Sequence, residues 1–270
     1  MSVTSKMKKN LLSVIMATHN DENFLSYAIK SVLAQTYKNL ELIIIDDAAD
    51  VKTRKILRSF VDPRIKILEN KTNLGLTKSL NNAIKIAQGE FIGRMDADDI
   101  SQSERFKTQV DFLKNNPDVM ALGSWAKIIG DDGKEKYIKK VPLSYQKIKT
   151  SIARFNPFIH SSLVFRSKVF KEVGFYDEEF VFAQDYDLML RIANEYKVIN
   201  IPSPLITYRD HQKSISNSQM QRQLWSAQKA RIKAIMEGNL KKTDVIFLVK
   251  PFVSLLIPPF VKKFILKFLI

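Results

Sequence analysis

The chain has 270 residues, which suits one α/β body with an appended region better than two large domains. Its 45% hydrophobic content, with 17 Phe, 8 Tyr and 2 Trp, excludes a disordered chain, and the absence of Cys excludes disulfides, thiolate catalysis, zinc fingers and iron–sulfur clusters. The net charge of +15 indicates a polyanionic partner, namely nucleic acid, an anionic membrane surface or a phosphorylated substrate.

Short apolar runs alternate with amphipathic segments over the first hundred residues, as in β-α-β units on a parallel sheet. The predicted strands, apolar almost throughout because helices cover both faces, are Leu11 to Ala17, Leu40 to Ile45, Ile65 to Leu68 and Phe91 to Met95. Apolar residues at helical spacing predict crossover helices at Phe24 to Gln35 and Leu76 to Ala87. The first run could suggest a secretory signal, but it is short and no A-x-A site follows it, so we interpret it as a strand.

The pattern is looser after residue 100. We predict a helix near Ser103 to Asn115, a strand near Val119 to Ile129 and a helix over Asp185 to Tyr196. No internal repeat or low-complexity linker interrupts the chain before about Gln212. The sequence therefore predicts one body over residues 1–211 and a separate tail over residues 212–270.

The tail differs from the body in charge and in pattern. Residues 212–270 hold 11 Lys or Arg against two acidic residues, or +9 of the total charge. A polar helix is predicted at Asn217 to Glu237, and an apolar stretch broken by three prolines runs from Val245 to Val261. A membrane span needs about 20 mostly apolar residues, so a transmembrane helix is not expected. We favour an in-plane anchor on anionic lipid, and the alternative is a tail docked on the protein itself or on a partner chain.

Polar residues follow the predicted strands at the points where ligands bind in parallel α/β sheets. Five carboxylates lie there, together with Thr18, His19 and Asn20; the five are Asp46, Asp47, Asp96, Asp98 and Asp99. Their mutual repulsion could be offset by a metal ion or by donors on a ligand, whereas the alternative is that they only cap the following helices. No GxG or GxxxxGK occurs, so a dinucleotide-binding or Walker loop is excluded.

Asp96-x-Asp98 directly follows a buried strand, and hard oxygen ligands at this spacing suit Mg²⁺ or Mn²⁺ bridging a diphosphate. Asp185, at the start of a predicted helix, is a candidate general base, although the helix dipole alone would also favour an anion there. The histidines His19, His160 and His211 lie in predicted loops and lack the short spacings of a zinc site.

Five segments, in order and spacing, resemble the family 2 inverting glycosyltransferases of the GT-A fold. They are Ser13 to Asn20, Glu41 to Asp47, Asn73 to Leu76 with Asn81, Gly89 to Asp99, and Gln184 to Leu188. The resemblance covers about Leu11 to His211 and implies an α/β fold with a mainly parallel central sheet flanked by helices. It also implies a nucleotide-binding half over about 11–100 and an acceptor half over about 101–211.

The resemblance also implies roles on the donor side. Asp47 would accept the N3–H of a pyrimidine base, while Ala17 and Thr18 would line the uracil and ribose pocket. The remaining donor-binding residues would be Asn20, Asn81, Arg94 and Asp96. UDP and dTDP donors cannot be told apart, because both bases present the same N3–H.

On the reaction side, the resemblance implies that Asp98 is the direct ligand of Mn²⁺ or Mg²⁺, joined by Asp96 and His211. Asp185 would be the catalytic base, and His160 and Gln184 would lie near the acceptor. Three departures from the family pattern are Ala48-Ala49 for the usual Gly-Ser, Ser103 where Pro is frequent, and Gln184 for the usual Glu before the base.

The predicted function is transfer of a sugar from a nucleotide-diphosphate sugar, most simply a UDP-sugar, to a glycan or lipid-linked glycan acceptor in cell-surface polysaccharide synthesis. The expected location is the cytoplasm, peripheral on the inner face of the cell membrane. Two alternatives are a metal-dependent phosphodiester hydrolase, which needs a second metal, and a basic nucleic-acid-binding protein. The charge excess lies in the tail rather than among aromatic residues on one face, so no nucleic-acid partner is expected.

Overall fold

Within residues 7–210 and 219–248, which the computed structural model of the chain describes, nine strands form one mixed sheet. In chain order they are β1 Lys8–Thr18, β2 Leu40–Asp47, β3 Ile65–Asn70, β4 Gly89–Arg94, β5 Ile100–Ser101, β6 Val119–Ile129, β7 Glu135–Lys139, β8 Val164–Arg166 and β9 Lys197–Arg209. The order across the sheet is β3-β2-β1-β4-β8-β6-β9-β5, with β7 paired to β6.

The first four strands are parallel to one another, and the second part of the sheet mixes both directions. β1 pairs with β2 and β4, and β2 pairs with β3, all parallel. β8 runs antiparallel between β4 and β6, whereas β6 and β9 form a long parallel pair. The carboxyl ends of β1, β2 and β4 therefore lie at one edge of the sheet, where the sequence predicts the donor site.

Helices cover both faces of this sheet. They are α1 Leu25–Leu33, α2 Val51–Ser59, α3 Leu76–Ile86, α4 Arg105–Asn115, α5 Tyr145–Ser151, α6 Val169–Glu172, α7 Gln184–Glu195 and α8 Met220–Met236. Short 3₁₀ turns span His160–Ser162 and Lys242–Val245.

Two hydrophobic cores lie on opposite faces because side chains of a strand alternate between them. Ile15 of β1 belongs to the core under α3, α7 and α8, where it joins Leu80, Leu188 and Ala230. Val14, its neighbour on β1, belongs to the other core with residues of α1 and α4. The α/β body with helices on both faces of a central sheet, predicted from the sequence, is confirmed.

The predicted strands and helices of the first half are all present, within a few residues at their ends. Helix α2 was not predicted; it begins after Asp50, whose carboxylate accepts the backbone N–H of Thr53 at 2.8 Å. The predicted tail helix corresponds to α8, while residues 249–270, with most of the predicted anchor, lie outside the described residues. No helix within the described ranges is long and apolar enough to cross a membrane.

Candidate active site

Asp47 closes the end of β2 and holds the loop that leads into α3. Its Oδ1 accepts hydrogen bonds from Asn70 Nδ2 and from the backbone N–H of Leu74, both at 2.8 Å, and its Oδ2 accepts the N–H of Gly75 at 2.8 Å. A carboxylate offers about four acceptor sites, so one remains for a further donor. Asp47 is thus both a loop clamp and a group able to receive an N–H from a ligand.

The neighbouring Asp46 is committed to the fold. Its side chain is buried, accepts the backbone N–H of Ala49 at 2.7 Å and pairs with Arg54 Nε at 2.8 Å. Of the five carboxylates predicted to converge on one ligand, Asp46 is therefore held by the protein itself, whereas Asp96 and Asp98 line one cavity. Asp99 is also buried, and its Oδ1 accepts the backbone N–H of Arg209 at 3.0 Å.

The end of β1 lies beside Asp47. The hydroxyl of Thr18 donates to Asp21 Oδ2 at 2.8 Å, and Asn20 Oδ1 accepts the backbone N–H of Asp50 at 2.9 Å. His19 Nδ1 lies 2.8 Å from the carbonyl oxygen of Asp47. Ala17, half-buried, packs against the core under α3. These contacts fix the residues at the ends of β1 and β2, where the sequence predicts the base and ribose pocket.

A cavity of about 480 Å³ opens beside these strand ends. Among the predicted site residues it is lined by Asp96, Asp98, His160, Gln184 and Asp185. The predicted metal ligands, acceptor-side residues and base thus share one cavity, while Ala17, Thr18, Asn20 and Asp47 lie outside its lining at the neighbouring strand ends.

Arg94 and Asp96 form an ion pair next to this cavity. Arg94 is fully buried at the end of β4, where its guanidinium contacts the carbonyl oxygen of Met95 and the carboxylate of Asp96. Arg94 was predicted as a donor-binding residue, and in the structure it contacts Asp96, a residue that lines the cavity.

Asn81 was also predicted on the donor side, and in the structure its side chain bonds to other residues of the protein. Its buried amide donates to the carbonyl oxygen of Tyr176 at 2.9 Å and to Glu178 Oε1 at 3.0 Å, and it accepts the N–H of Tyr176 at 3.1 Å. Its polar atoms are therefore used to fasten α3 to the segment before α7, and it does not line the cavity.

Asp185 lies in the first turn of α7 and lines the cavity. Ala183 at the head of this helix has a left-handed backbone, with φ of 57°. Burial raises the pKa of Asp185 above its ordinary value, opposed by hydrogen bonds from the backbone N–H of Tyr186 and the amide of Asn156. A carboxylate with a raised pKa inside a cavity is suited to accept a proton near neutral pH.

Asp187, two residues further along α7, is held in two ion pairs. Its Oδ1 pairs with Lys233 of α8 at 3.1 Å and its Oδ2 with Arg191 at 2.9 Å, and its side chain is only 3% exposed. It does not line the cavity. Asp187 therefore ties α7 to α8.

His160 is held against Tyr176 in the wall of the cavity. Its Nε2 lies 2.9 Å from the hydroxyl of Tyr176, and the two rings meet edge to face. Burial, with Arg94 nearby, lowers the pKa of His160 well below its ordinary value, and burial raises that of Tyr176. The imidazole is therefore neutral at physiological pH and serves as a hydrogen-bonding group.

The C-terminal helix α8 forms part of the same cavity, which the sequence did not indicate. Gln223, Leu224, Ala227 and Arg231 line it. Arg231 donates to the carbonyl oxygens of Ala153 and Arg154 and to the hydroxyl of Tyr186, at 3.0, 2.7 and 3.1 Å. Asn156, Tyr176 and Arg231 were not predicted as site residues, because their contacts join segments far apart in sequence.

Within the described residues no cluster of three or more acidic, His or Cys side chains is arranged around a metal position. Asp96 and Asp98 nevertheless line one cavity, and His211, the third predicted ligand, lies outside the described residues. Two carboxylates are a donor set that suits Mn²⁺ or Mg²⁺ when phosphate oxygens and water complete the shell.

Two solved structures share the fold of this chain. TarS of S. aureus in complex with UDP-GlcNAc matches with a TM-score of 0.68 and 18% identity, over 83% of this chain and 66% of that chain. Mannosyltransferase PcManGT from Pyrobaculum calidifontis, in complex with GDP-Man and Mn²⁺, matches with a TM-score of 0.63 and 18% identity, over 85% of this chain and 65% of that chain. The predicted GT-A fold is thereby confirmed.

The sequence itself defines the family. Residues 13–174 match the family model of glycosyl transferase family 2, and the chain belongs to this family. The uncharacterized glycosyltransferase MJ1057 of Methanocaldococcus jannaschii is 36% identical over 77% of this chain and 73% of its own length. The UDP-Glc:alpha-D-GlcNAc-diphosphoundecaprenol beta-1,3-glucosyltransferase WfgD of Escherichia coli is 32% identical over 78% and 82%. The chain is therefore a glycosyltransferase that uses a nucleotide sugar, which sets aside the hydrolase and nucleic-acid alternatives.

Proposed function

We propose that this protein is an inverting glycosyltransferase that moves a sugar from a UDP-sugar to a hydroxyl of a lipid-linked glycan, with Asp185 as the general base. One observation carries the proposal: Asp185 shares a cavity with Asp96 and Asp98, the predicted metal ligands. A base and a diphosphate site must face one reacting carbon, and this cavity can hold both.

The uridine is proposed to bind at the ends of β1 and β2. Asp47 has acceptor capacity left for the N3–H of the base, while Ala17 and Thr18 form the adjacent floor. Asn20 lies at the rim, where it also holds the start of α2 through Asp50. The names of WfgD and of the TarS complex specify UDP-sugars, which supports a uridine donor.

Asp98, with Asp96 and His211, is proposed to hold Mn²⁺ or Mg²⁺. When bound, such a cation neutralises charge on the diphosphate leaving group. Arg94 keeps Asp96 in place through the buried ion pair. The PcManGT complex with Mn²⁺ supports a divalent metal in this fold.

In the proposed reaction the acceptor hydroxyl oxygen forms a bond to the anomeric carbon of the donor sugar. Its proton passes to a carboxylate oxygen of Asp185, and the bond from the anomeric carbon to the diphosphate oxygen breaks, releasing the nucleoside diphosphate. Attack from the face opposite the diphosphate inverts the configuration in one displacement. His160 and Gln184 line the cavity as neutral groups that can bind acceptor hydroxyls.

The mouth of the cavity supports an acceptor with an apolar part. Phe155, Val181 and Leu224 line it and are 47%, 70% and 59% exposed. Exposed large apolar residues gathered at a binding site indicate an apolar ligand surface. We therefore propose that these three residues, called the apolar rim of the cavity below, contact the lipid end of the acceptor.

The donor assignment is tested by measuring thermal unfolding with a panel of UDP-, dTDP- and GDP-sugars, with and without Mn²⁺. A true donor at 100 times its Kd should stabilise the fold by about 2.7 kcal/mol. Inversion is then read from the anomeric configuration of the product by NMR. Stabilisation by GDP-sugars alone would contradict the uridine assignment, and a retained configuration would contradict the single displacement.

The role of the apolar rim is tested with Val181→Ser. The control is Val61→Ser, because Val61 is 98% exposed and lies outside the cavity lining. We expect Val181→Ser to raise the KM for an acceptor sugar linked to a polyprenyl diphosphate and to leave the KM for the free sugar unchanged. Val61→Ser should change neither value. Equal effects of Val181→Ser on both acceptors would contradict the proposed contact between the apolar rim and the lipid.

We also propose that the tail, with its +9 charge over residues 212–270, places the enzyme on the inner, anionic face of the cell membrane. Sedimentation with liposomes of graded anionic content should distinguish the full chain from one ending at Leu248. That end point keeps the bond from Gln228 Nε2 to the carbonyl oxygen of Leu248, at 3.0 Å. Equal binding by the two chains would place the membrane contact elsewhere.

A further inference from the structure

Asn156 contacts the proposed base directly. It lies between α5 and the 3₁₀ turn at His160, lines the cavity and donates from Nδ2 to Asp185 Oδ2 at 2.7 Å. Its own Oδ1 accepts the backbone N–H of Phe158 at 3.2 Å. One side chain thus holds the turn of its own loop and one oxygen of a carboxylate 29 positions away.

Building on the proposed role of Asp185, we propose that Asn156 is a positioning residue for the base, which fixes Oδ2 and leaves Oδ1 to receive the acceptor proton. A carboxylate in the first turn of a helix can rotate about its Cα–Cβ and Cβ–Cγ bonds. The short hydrogen bond from the Asn156 amide adds to those from the backbone N–H groups of Asp185 and Tyr186 and further restricts this rotation.

The same hydrogen bond acts on the charge of the base. Burial raises the pKa of Asp185, and the nearby Asp96 raises it further, whereas the hydrogen bond from Asn156 to Oδ2 acts in the opposite direction and favours the ionised carboxylate. The other groups around it are Tyr176 and His160, which are neutral, and Arg231 of α8, which bonds to the neighbouring Tyr186. Asn156 is the group that donates a side-chain hydrogen bond to Asp185 among the described residues.

Two variants separate this role from a structural one. Asn156→Ala removes both hydrogen bonds of the side chain. Asn156→Asp keeps an acceptor for the N–H of Phe158, replaces the donor by a second carboxylate and so acts on Asp185 alone. Asn194→Ala is the matched control, because Asn194 lies on α7 and bonds to Asn239, at 3.2 Å.

The first test needs no substrate. Because the pKa of Asp185 is higher in the folded than in the unfolded chain, its contribution to stability is present at low pH and is lost as pH rises through the folded pKa. The stability difference between Asp185→Asn and wild type should therefore grow with pH and then level off. In the Asn156→Ala background it should level off about one pH unit higher, since a hydrogen bond to the carboxylate is gone. Coincident curves in the two backgrounds would overturn the proposal.

The second test uses release of UDP from a donor that stabilises the protein, measured from pH 5 to 9. In the pH profile of kcat, the acid limb should shift to higher pH by about one pH unit in Asn156→Ala and by more in Asn156→Asp. The Kd of the donor should stay unchanged. Asn194→Ala should keep the wild-type profile. If Asn156→Asp has the wild-type profile, the side chain serves only the turn and the inference is wrong.

A parallel measurement separates this inference from the proposed function. If Asp185→Asn releases UDP at the wild-type rate, the assignment of the base has failed, whatever the Asn156 variants do. If Asp185→Asn is inactive and both Asn156 variants keep the wild-type profile, the base stands and the positioning role of Asn156 has failed.

Discussion

Arg231 Nε donates to the hydroxyl of Tyr186 at 3.1 Å and so joins the C-terminal helix to the residue that follows the proposed base. The same hydroxyl donates to the carbonyl oxygen of Ile152 at 2.5 Å. Helix α8 is therefore fastened at one point to both α7 and the segment before Asn156. The position of the base depends on a helix that the sequence suggests is a separate tail.

The first prediction concerns Arg231→Met. The substitution leaves the carbonyl oxygens of Ala153 and Arg154 without their buried donor, so we expect a loss of about 2 to 4 kcal/mol in the free energy of unfolding. Urea unfolding measures this loss. Arg222→Met, an exposed position on the same helix, should change stability by less than about 0.5 kcal/mol. Similar stability of the two variants would show that Arg231 does not fasten α8.

The second prediction contrasts two carboxylates on one helix. Asp187→Asn removes the charge that faces Lys233 and Arg191. Because Lys233 is partly exposed, we expect a loss of about 2 kcal/mol in the free energy of unfolding, below the value of about 3 to 5 kcal/mol for fully buried pairs. Asp185→Asn should instead raise stability at pH 8, since burial opposes the charge of Asp185. Its turnover should fall by about 10²-fold or more, with donor affinity nearly unchanged.

Urea unfolding at pH 8 and UDP release, measured on both variants, check this contrast. Folded Asp187→Asn protein should retain a larger fraction of the wild-type turnover than Asp185→Asn. The opposite ranking of turnover, with both variants folded, would make Asp187 the candidate base.

Local patterns were sufficient to predict the first four strands of the sheet. β1, β2 and β4 are mostly buried, whereas β3 at the edge of the sheet is partly exposed, and polar residues follow the strands. Apolar runs and the residues after them therefore locate both the sheet and its binding edge. Strand β9 was missed because Pro202 and Pro204 interrupt it, and Pro normally argues against a strand paired on both sides. The β6–β9 register shifts at Trp125 and Pro204, and this irregularity accommodates the prolines.

The contacts of the candidate site could be predicted only in part. The positions of Asp96, Asp98 and Asp185 in one cavity follow from where their elements begin and end. The actual contacts of Asn81 and Arg94 do not follow, because a polar residue near a strand end can face a ligand or a neighbouring loop with the same sequence pattern. Long-range pairs such as Asn156 with Asp185 leave no periodic signal in the chain.

The third prediction concerns Ala48, one of the departures from the usual Gly-Ser after the paired Asp. Its φ is 54°, a left-handed conformation that costs an L-residue about 1 to 2 kcal/mol and costs Gly little. After the extra chain entropy of Gly in the unfolded state is subtracted, Ala48→Gly should stabilise the fold by up to about 1 kcal/mol. Ala49→Gly, at the next and buried position, should destabilise it. Urea unfolding of both variants is the measurement, and destabilisation by Ala48→Gly would contradict the assigned strain.

The last prediction separates the metal site from the base pocket. Asp98→Ala should abolish the part of UDP binding that depends on Mn²⁺, because the diphosphate loses its cation. In the wild type we expect this cation to contribute several kcal/mol, which is at least about 10²-fold in UDP affinity. Asp47→Ala should weaken UDP binding with and without Mn²⁺ and reduce the preference for uridine over other bases, since the carboxylate at the end of β2 is gone.

Isothermal titration calorimetry with UDP, with and without Mn²⁺, distinguishes the two patterns. Thermal unfolding of each variant is needed as well, because Asp47 also clamps the loop at Leu74 and Gly75. If Asp98→Ala binds UDP with an undiminished response to Mn²⁺, Asp98 is not the metal ligand.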